Sequence, residues 1–340
     1  MHARARRAAR SPPIVEHDAP DLPDPDMVPI FARMAALAPG RPPSHLIGTR
    51  AFRERMEADA RARAGTAPPM AVVTDVTIPG GVRGTVPARL YRPNVVDGTP
   101  RPALAYLHGS GWVGGSLESH DHVARWLASL AGTTVIAIDH VLAPEHPFPA
   151  PIEDCAAAIG WLRSDASAAL GLDGARLGVV GDSAGGNLAL ASALALRDAG
   201  RPLPRVIASN YGVLTADLDT PSHRAFGDGR FGLSTAAMAW YWAQYAGADP
   251  AVRMHPWACP VAADPRGLPP VVLAGAGLDP LRDDSRRCAA AFAAAGHEVD
   301  FAEDRGLPHG HLHHAAAVPA ARRSLARVAR ACVARLVDAG

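Results

Sequence analysis

The chain has 340 residues, 48% of them hydrophobic and 20% charged, the balance of an ordinary globular protein. With 34 basic and 33 acidic residues the formal net charge is +1, which gives no electrostatic case for nucleic acid or an acidic surface as partner. No stretch approaches the roughly 20 apolar residues that span a bilayer.

The start, "MHARARRAAR", is basic, but "SPPIVEHDAP" follows where an export signal needs an apolar segment. Residues 1–25 are therefore expected to be a disordered, Pro- and Arg-rich tail, and the protein to be cytoplasmic. Every basic residue besides His is Arg, which a GC-rich coding bias explains more simply than function. The four Cys, at 155, 259, 288 and 332, have no metal-like spacing and read as free, mostly buried thiols of a reducing compartment.

From 26 to 69 come two helical patterns, "DMVPIFARMAALAPG" and "GTRAFRERMEADARARA", the first stopped by Pro39-Gly40. "AVVTDVTIPG" and "GTVPARLYRP" then alternate as a β-hairpin, with Gly80-Gly81 near the turn. Short apolar runs follow at 102–109, 133–139, 176–182, 205–212, 269–277 and 297–304, mostly separated by helical patterns near 118–131, 151–166, 185–199, 282–296 and 315–338. Continuous apolar strands alternating with helices predict an α/β fold with a mostly parallel sheet covered on both faces. Residues 213–268 interrupt the rhythm and predict an insertion, a cap over the strand ends, within a domain running from 70 to 340.

"GDSAG" at 181–185 satisfies G-x-S-x-G between an apolar strand and a helix. Ser183 is then either a plain helix N-cap or a nucleophile lifted over the sheet edge by a strained turn. "YLHGSGWVGG" at 106–115 ends another strand, and such a loop can present backbone N–H groups to an oxyanion. Asp279 directly follows the strand "VVLAGAG", whereas Asp283 and Asp284 lie a helical turn further on and read as solvated helix charges. His309 follows "EVDFAEDRGLP" in a loop, again at a strand end.

The blocks "HGSGW", "DHVLAPEHPFPAPIED", "GDSAGGN", "LDPLRDD" and "LPHGH" stand in an order that resembles the hormone-sensitive lipase family of α/β-hydrolases, over roughly residues 70–315. The resemblance implies an α/β-hydrolase fold with an eight-stranded sheet, a helical cap built from the N-terminus and the insertion, and hydrolysis of short- to medium-chain carboxylic esters without a cofactor. It implies Ser183 as nucleophile, Asp279 as triad acid and His309 as base. The oxyanion donors would be the backbone N–H groups of Ser110, Gly111 and Ala184, with His108, Gly109, Glu145 and Asp182 around them. Trp112, Phe226, Phe231 and Trp242 are candidates to line the substrate site. The expected partner is a small-molecule ester, and a homodimer is left open.

The chain departs from the family at three places. Ser110 stands where the loop usually has glycine, so a Cβ and hydroxyl would crowd the acyl site. His140-Val141 replaces the usual Tyr-Arg, which implies loss of any packing role of that pair. His309 is followed by Gly310-His311 rather than Gly and an aromatic. "HGHLHH" raises a zinc site as a rival, but two His at i, i+3 without a nearby carboxylate or Cys make an incomplete set, so no metal is expected. His311, His313 and His314 are expected to point into the cap or solvent. The same triad could also act on lactones or amides or transfer acyl groups, and a non-catalytic binding protein is the alternative from another class.

Overall fold

The computed structural model describes residues 21–63, 67–94 and 99–337. Eight strands form one sheet in the order β1-β2-β4-β3-β5-β6-β7-β8. They are β1 (Val72–Pro79), β2 (Thr85–Arg92), β3 (Arg101–Leu107), β4 (Thr134–Ile138), β5 (Leu172–Asp182), β6 (Ile207–Asn210), β7 (Val271–Leu278) and β8 (Val299–Pro308). β1 pairs antiparallel with β2 and β2 with β4; every other pairing is parallel. The hairpin turns where the sequence predicts, with the Gly80 N–H donating to the Gly84 carbonyl at 2.9 Å.

The unbroken apolar runs become central strands because both faces of the sheet are covered. β4 and β7 are buried at every position. Alternate residues of β3 feed opposite cores: Ala103, Ala105 and Leu107 on one face, Leu104 and Tyr106 on the other. α4 (Ala150–Leu162), α5 (Ala184–Asp198) and α9 (Arg282–Ala294) close the first face. α3 (Asp121–Ala131) and α10 (Pro319–Val337) close the second. All four cysteines are buried and free. Among the described residues no helix is long and apolar enough to cross a membrane.

Two segments lie outside this layered body. α1 (Val28–Leu37) and α2 (Gly48–Arg63) precede the sheet, and α6 (Pro221–Phe226), α7 (Thr235–Ala246) and α8 (Pro250–Arg253) interrupt it between β6 and β7. They pack on each other through aromatic contacts: Phe52 on Trp240 and Tyr241, and Phe31 on Phe231. Of the tail expected over 1–25, residues 1–20 lie outside the described residues. The remainder is held against the body, where Arg282 donates to Asp21 and the Asp24 N–H to the Gly306 carbonyl, both at 3.0 Å.

Polar ties fasten the insertion, and here one sequence expectation is overturned. Asp283 and Asp284 are not solvated helix charges; both are buried. Asp284 Oδ2 accepts from the Leu214 and Thr215 amides at 2.9 and 3.0 Å, and Asp283 Oδ2 accepts from the Ser222 amide at 2.9 Å. The start of the insertion folds back over the first turn of α9, and its N–H groups need buried acceptors. Asn187 of α5 closes the same seam, donating to the Val213 and Ala258 carbonyls at 2.8 Å each.

Burial drives the Asp284 carboxyl well above the ordinary carboxylate range, against the opposing pull of the two amides. The folded state therefore holds this proton more tightly than the unfolded chain. Its stabilising contribution is complete below the unfolded value of about 3.9 and is lost as pH rises through the folded value. Urea unfolding of wild type and Asp284→Asn at acidic and at mildly alkaline pH is expected to show the wild type losing ground to the variant as pH rises. The opposite slope would mean that the amides, not burial, dominate at Asp284.

Candidate active site

The turn between β5 and α5 is built by two glycines and a strained serine. A Cβ on Gly185 would collide with the Leu107 carbonyl at the end of β3, and one on Gly181 with the backbone of Gly185. Closing the turn this tightly puts Ser183 at φ 55° and ψ −122°, a conformation that non-glycine residues seldom adopt. The Ser183 N–H donates to the Asn210 carbonyl at 2.9 Å, which pins the turn to β6. Ser183 occupies the N-cap position of α5 without capping it: its side chain makes no capping bond, and its Oγ lies 2.8 Å from His309 Nε2.

His309 stands immediately after β8, and Asp279 immediately after β7. Asp279 is fully buried, with Oδ1 accepting the Leu281 amide at 2.9 Å and Oδ2 2.8 Å from His309 Nδ1. A carboxylate can only accept, so this contact makes Nδ1 the donor and leaves Nε2 to accept from Ser183. Tyr211, held at φ 37°, sets its ring edge-to-face against both His309 and His311, with centroids 4.9 Å apart in each case. No sequence signal marked Tyr211; it is simply the residue after β6.

The 108–115 loop closes over Ser183 from the end of β3. A Cβ on Gly109 would lie 3.0 Å from the Ser183 Cβ, and one on Gly111 would penetrate the Tyr241 ring. Gly111 and Ser110 both have positive φ, 64° and 85°. The close approach of Gly109 thus brings this loop against Ser183. Asp182, beside the serine, is buried and accepts the Tyr106 hydroxyl at 2.6 Å. Burial pushes its carboxyl up to about 6.

Other sequence expectations are corrected. His140-Val141 has not lost its packing role. His140 stacks on His108 with centroids 4.2 Å apart, and the Val141 N–H donates to Asp154 Oδ2 at 2.9 Å. An imidazole fills the space beside His108, whose own basicity is held well below normal by burial first, then by His140 and His120. Glu145 does not reach the 108–115 loop itself. Its carboxylate takes two bonds from Arg53 of α2, at 3.0 and 2.7 Å, and Arg53 also donates to the Val113 and Ala143 carbonyls. Arg53 is therefore the brace, and as one arginine among many it carried no motif.

A cavity of about 220 Å³ opens at His309, lined by Met27, Met34, Phe231, Tyr241 and His314 among others. Of the four substrate-lining candidates only Phe231 is on its wall. Trp112 and Trp242 are fully buried, and Trp112 stacks on Tyr245 at 4.1 Å, because the insertion needs an apolar floor against the loop. Phe226 is buried under Arg282 and Arg230. His311 does not point to cap or solvent either; it is fully buried and bonds to the Pro308 carbonyl and Ser324 Oγ. His313 turns to His122, at 3.0 Å, and His314 alone of the three faces the cavity.

Residues 104–313 match the model of a family described by the α/β hydrolase fold. The chain is 38% identical to carboxylesterase NlhH of Mycobacterium tuberculosis over 71% of its own length and 76% of that protein. It is also 36% identical to ethyl acetate hydrolase of Pseudomonas putida, over 85% of this chain and 91% of that one. The chain belongs to the hormone-sensitive lipase family of α/β-hydrolases. Among solved structures, this hydrolase superposes on the hyperthermophilic esterase of the archaeon Pyrobaculum calidifontis with TM-score 0.84 at 33% identity, covering 92% of this chain and 98% of that one. A thermostable esterase from Pseudomonas putida gives TM-score 0.86 at 27% identity, covering 94% and 99%.

In the 108–115 loop Ser110 carries a Cβ in left-handed backbone where the family usually has glycine, which costs about 1–2 kcal/mol relative to glycine before glycine's extra chain entropy is counted. Ser110→Gly is expected to stabilise the protein by about 1 kcal/mol in urea unfolding. An unchanged or lower midpoint would mean that the serine side chain makes compensating contacts.

Proposed function

We propose that this carboxylic ester hydrolase works as a serine esterase, with Ser183 as nucleophile, His309 as general base and Asp279 as its orienting acid. The observation that carries the reading is the continuous chain from Ser183 Oγ through His309 to buried Asp279, with two contacts of 2.8 Å. Serine is too weak an acid to attack a carbonyl unaided. Transfer of its proton to His309 Nε2 as Oγ bonds to the ester carbon supplies the nucleophile, and Asp279 stabilises the imidazolium that results. The negative oxygen of the tetrahedral adduct is received by the Ser110, Gly111 and Ala184 amides. Collapse expels the alcohol, protonated by His309, and water repeats the sequence on the acyl-enzyme.

In this reading α2 and α7 act as the cap, and Arg53, with Glu145, holds the cap to the oxyanion loop. Acyl chains of about two to eight carbons are the preferred substrates. The support is the size of the cavity, about 220 Å³, below the roughly 300–1,000 Å³ of sites that enclose drug-sized ligands. Hydrolysis of p-nitrophenyl esters from acetyl to palmitoyl, read as kcat/KM, is expected to peak within that range. Palmitoyl esters cleaved better than butyryl ones would overturn the chain-length assignment.

Ser183→Ala is expected to abolish turnover and labelling by a serine-reactive phosphonate while the fold persists. His309→Ala should lower kcat by about 10⁴–10⁶, because the three groups act as a unit. His314→Ala should cost about tenfold through substrate positioning alone. Activity near wild type in Ser183→Ala, or His314→Ala as impaired as His309→Ala, would mean the roles are wrongly assigned.

A further inference from the structure

Beside the nucleophile lies a group of buried and half-buried imidazoles that ester hydrolysis does not use. His120 immediately precedes α3, Asp182 ends β5, and His313 belongs to the 3₁₀ turn His311–His314 that follows the base. One donor atom from each of these three residues lies within 4.8 Å of the other two. Tetrahedral zinc with bonds of about 2.0–2.2 Å holds its donors about 3.4 Å apart, so small side-chain rotations would close the set.

The surroundings have the form that metal ligands require. Each of the three side chains is held by protein partners, the Asp182 carboxyl by the Gly109 amide as well. His120 Nδ1 lies 2.8 Å from Ser119 Oγ, Asp182 Oδ1 accepts Tyr106 at 2.6 Å, and His313 Nδ1 lies 3.0 Å from His122 Nε2. Such outer contacts fix ring orientation and tautomer. The His120 and His313 rings also sit 4.9 Å apart, centroid to centroid.

We propose that His120, Asp182 and His313 form a binding site for a divalent transition cation of the zinc class. Two imidazoles and one carboxylate are a borderline-soft set that favours zinc or cobalt over magnesium or calcium. The donors are Nε2 of each histidine and a carboxylate oxygen of Asp182, with solvent completing the shell. The cation ties together three chain segments: the start of α3, the end of β5 and the turn after His309. Its role is to hold the base's turn against the nucleophile's strand, not to take part in acyl transfer. Of the four histidines in "HGHLHH" one is a ligand, and its partners come from 131 and 193 positions earlier in the chain (313 less 182, and 313 less 120).

The test uses the full-length protein, stripped with a chelator and returned to metal-free buffer. Calorimetric titration with Zn²⁺ is expected to show one equivalent bound, with a rise in the thermal midpoint. Co²⁺ in its place is expected to give the visible bands of a four-coordinate nitrogen–oxygen site. His313→Ala and His120→Asn should each weaken Zn²⁺ binding by about a hundredfold, and His122→Ala by about tenfold. His255→Ala, at an exposed imidazole outside the group, should bind as wild type. Should His120→Asn fail to fold, the half-buried His313 still carries the test. No stoichiometric Zn²⁺ binding by wild type, or binding that survives His313→Ala, would overturn the proposal and leave the group as a hydrogen-bonded network. These readouts are independent of ester hydrolysis, so a failed esterase reading and a failed metal site are distinguishable.

Discussion

The approach of the β5–α5 turn to the end of β3 is the constraint on which the site rests. Gly185 lies against the Leu107 carbonyl so closely that no side chain fits between them. That contact forces Ser183 into left-handed backbone and brings the 108–115 loop over it. The same contact fixes where α5 begins, and hence where its first amides are aimed. A βα turn relaxed by even one side chain would move hydroxyl and loop apart together. The strain at Ser183 is held by the surrounding sheet, with Asn210 gripping its amide.

Around this point the sheet supplies convergence. Ser183, Asp279 and His309 follow β5, β7 and β8, three parallel strands whose C-terminal ends lie along one edge. Parallel pairing makes those ends neighbours in space although the residues are far apart in the chain. β8 runs on to Pro308, so the imidazole is carried on a strand end with little slack. Asp279 is withdrawn from solvent altogether and still keeps a backbone donor besides His309, which suits a carboxylate that must remain an acceptor.

The parts outside the sheet are fastened by polar ties as much as by apolar packing. Asp283, Asp284 and Asn187 pair with the amides and carbonyls of a segment that has little secondary structure of its own at its two ends. Arg53 plays the corresponding part for α2, reaching two carbonyls and one carboxylate. A long insertion costs little chain entropy beyond that of a short one, but each of its buried peptide groups needs a partner. Those partners are drawn from the sheet's own helices.

How much of this was legible in the sequence follows from the range of each interaction. Strand order of burial, the hairpin, the helices and the G-x-S-x-G turn are local or periodic properties, written in neighbouring residues. The candidates Ser183, Asp279 and His309 could be found because strand ends announce themselves by where apolar runs stop, and the family resemblance selected among them. The fates of Asp283, Asp284, His140, His311 and Trp112 could not, because each depends on what a distant segment places against it. A carboxylate reads as solvated until a backbone needing acceptors is laid over it. An imidazole reads as facing cap or solvent until Ser324 and the Pro308 carbonyl enclose it. Sequence by itself determined the elements, their order and the chemistry available at each strand end. Only the tertiary structure decided which polar groups meet, because burial and pairing belong to the space between segments and not to either segment alone.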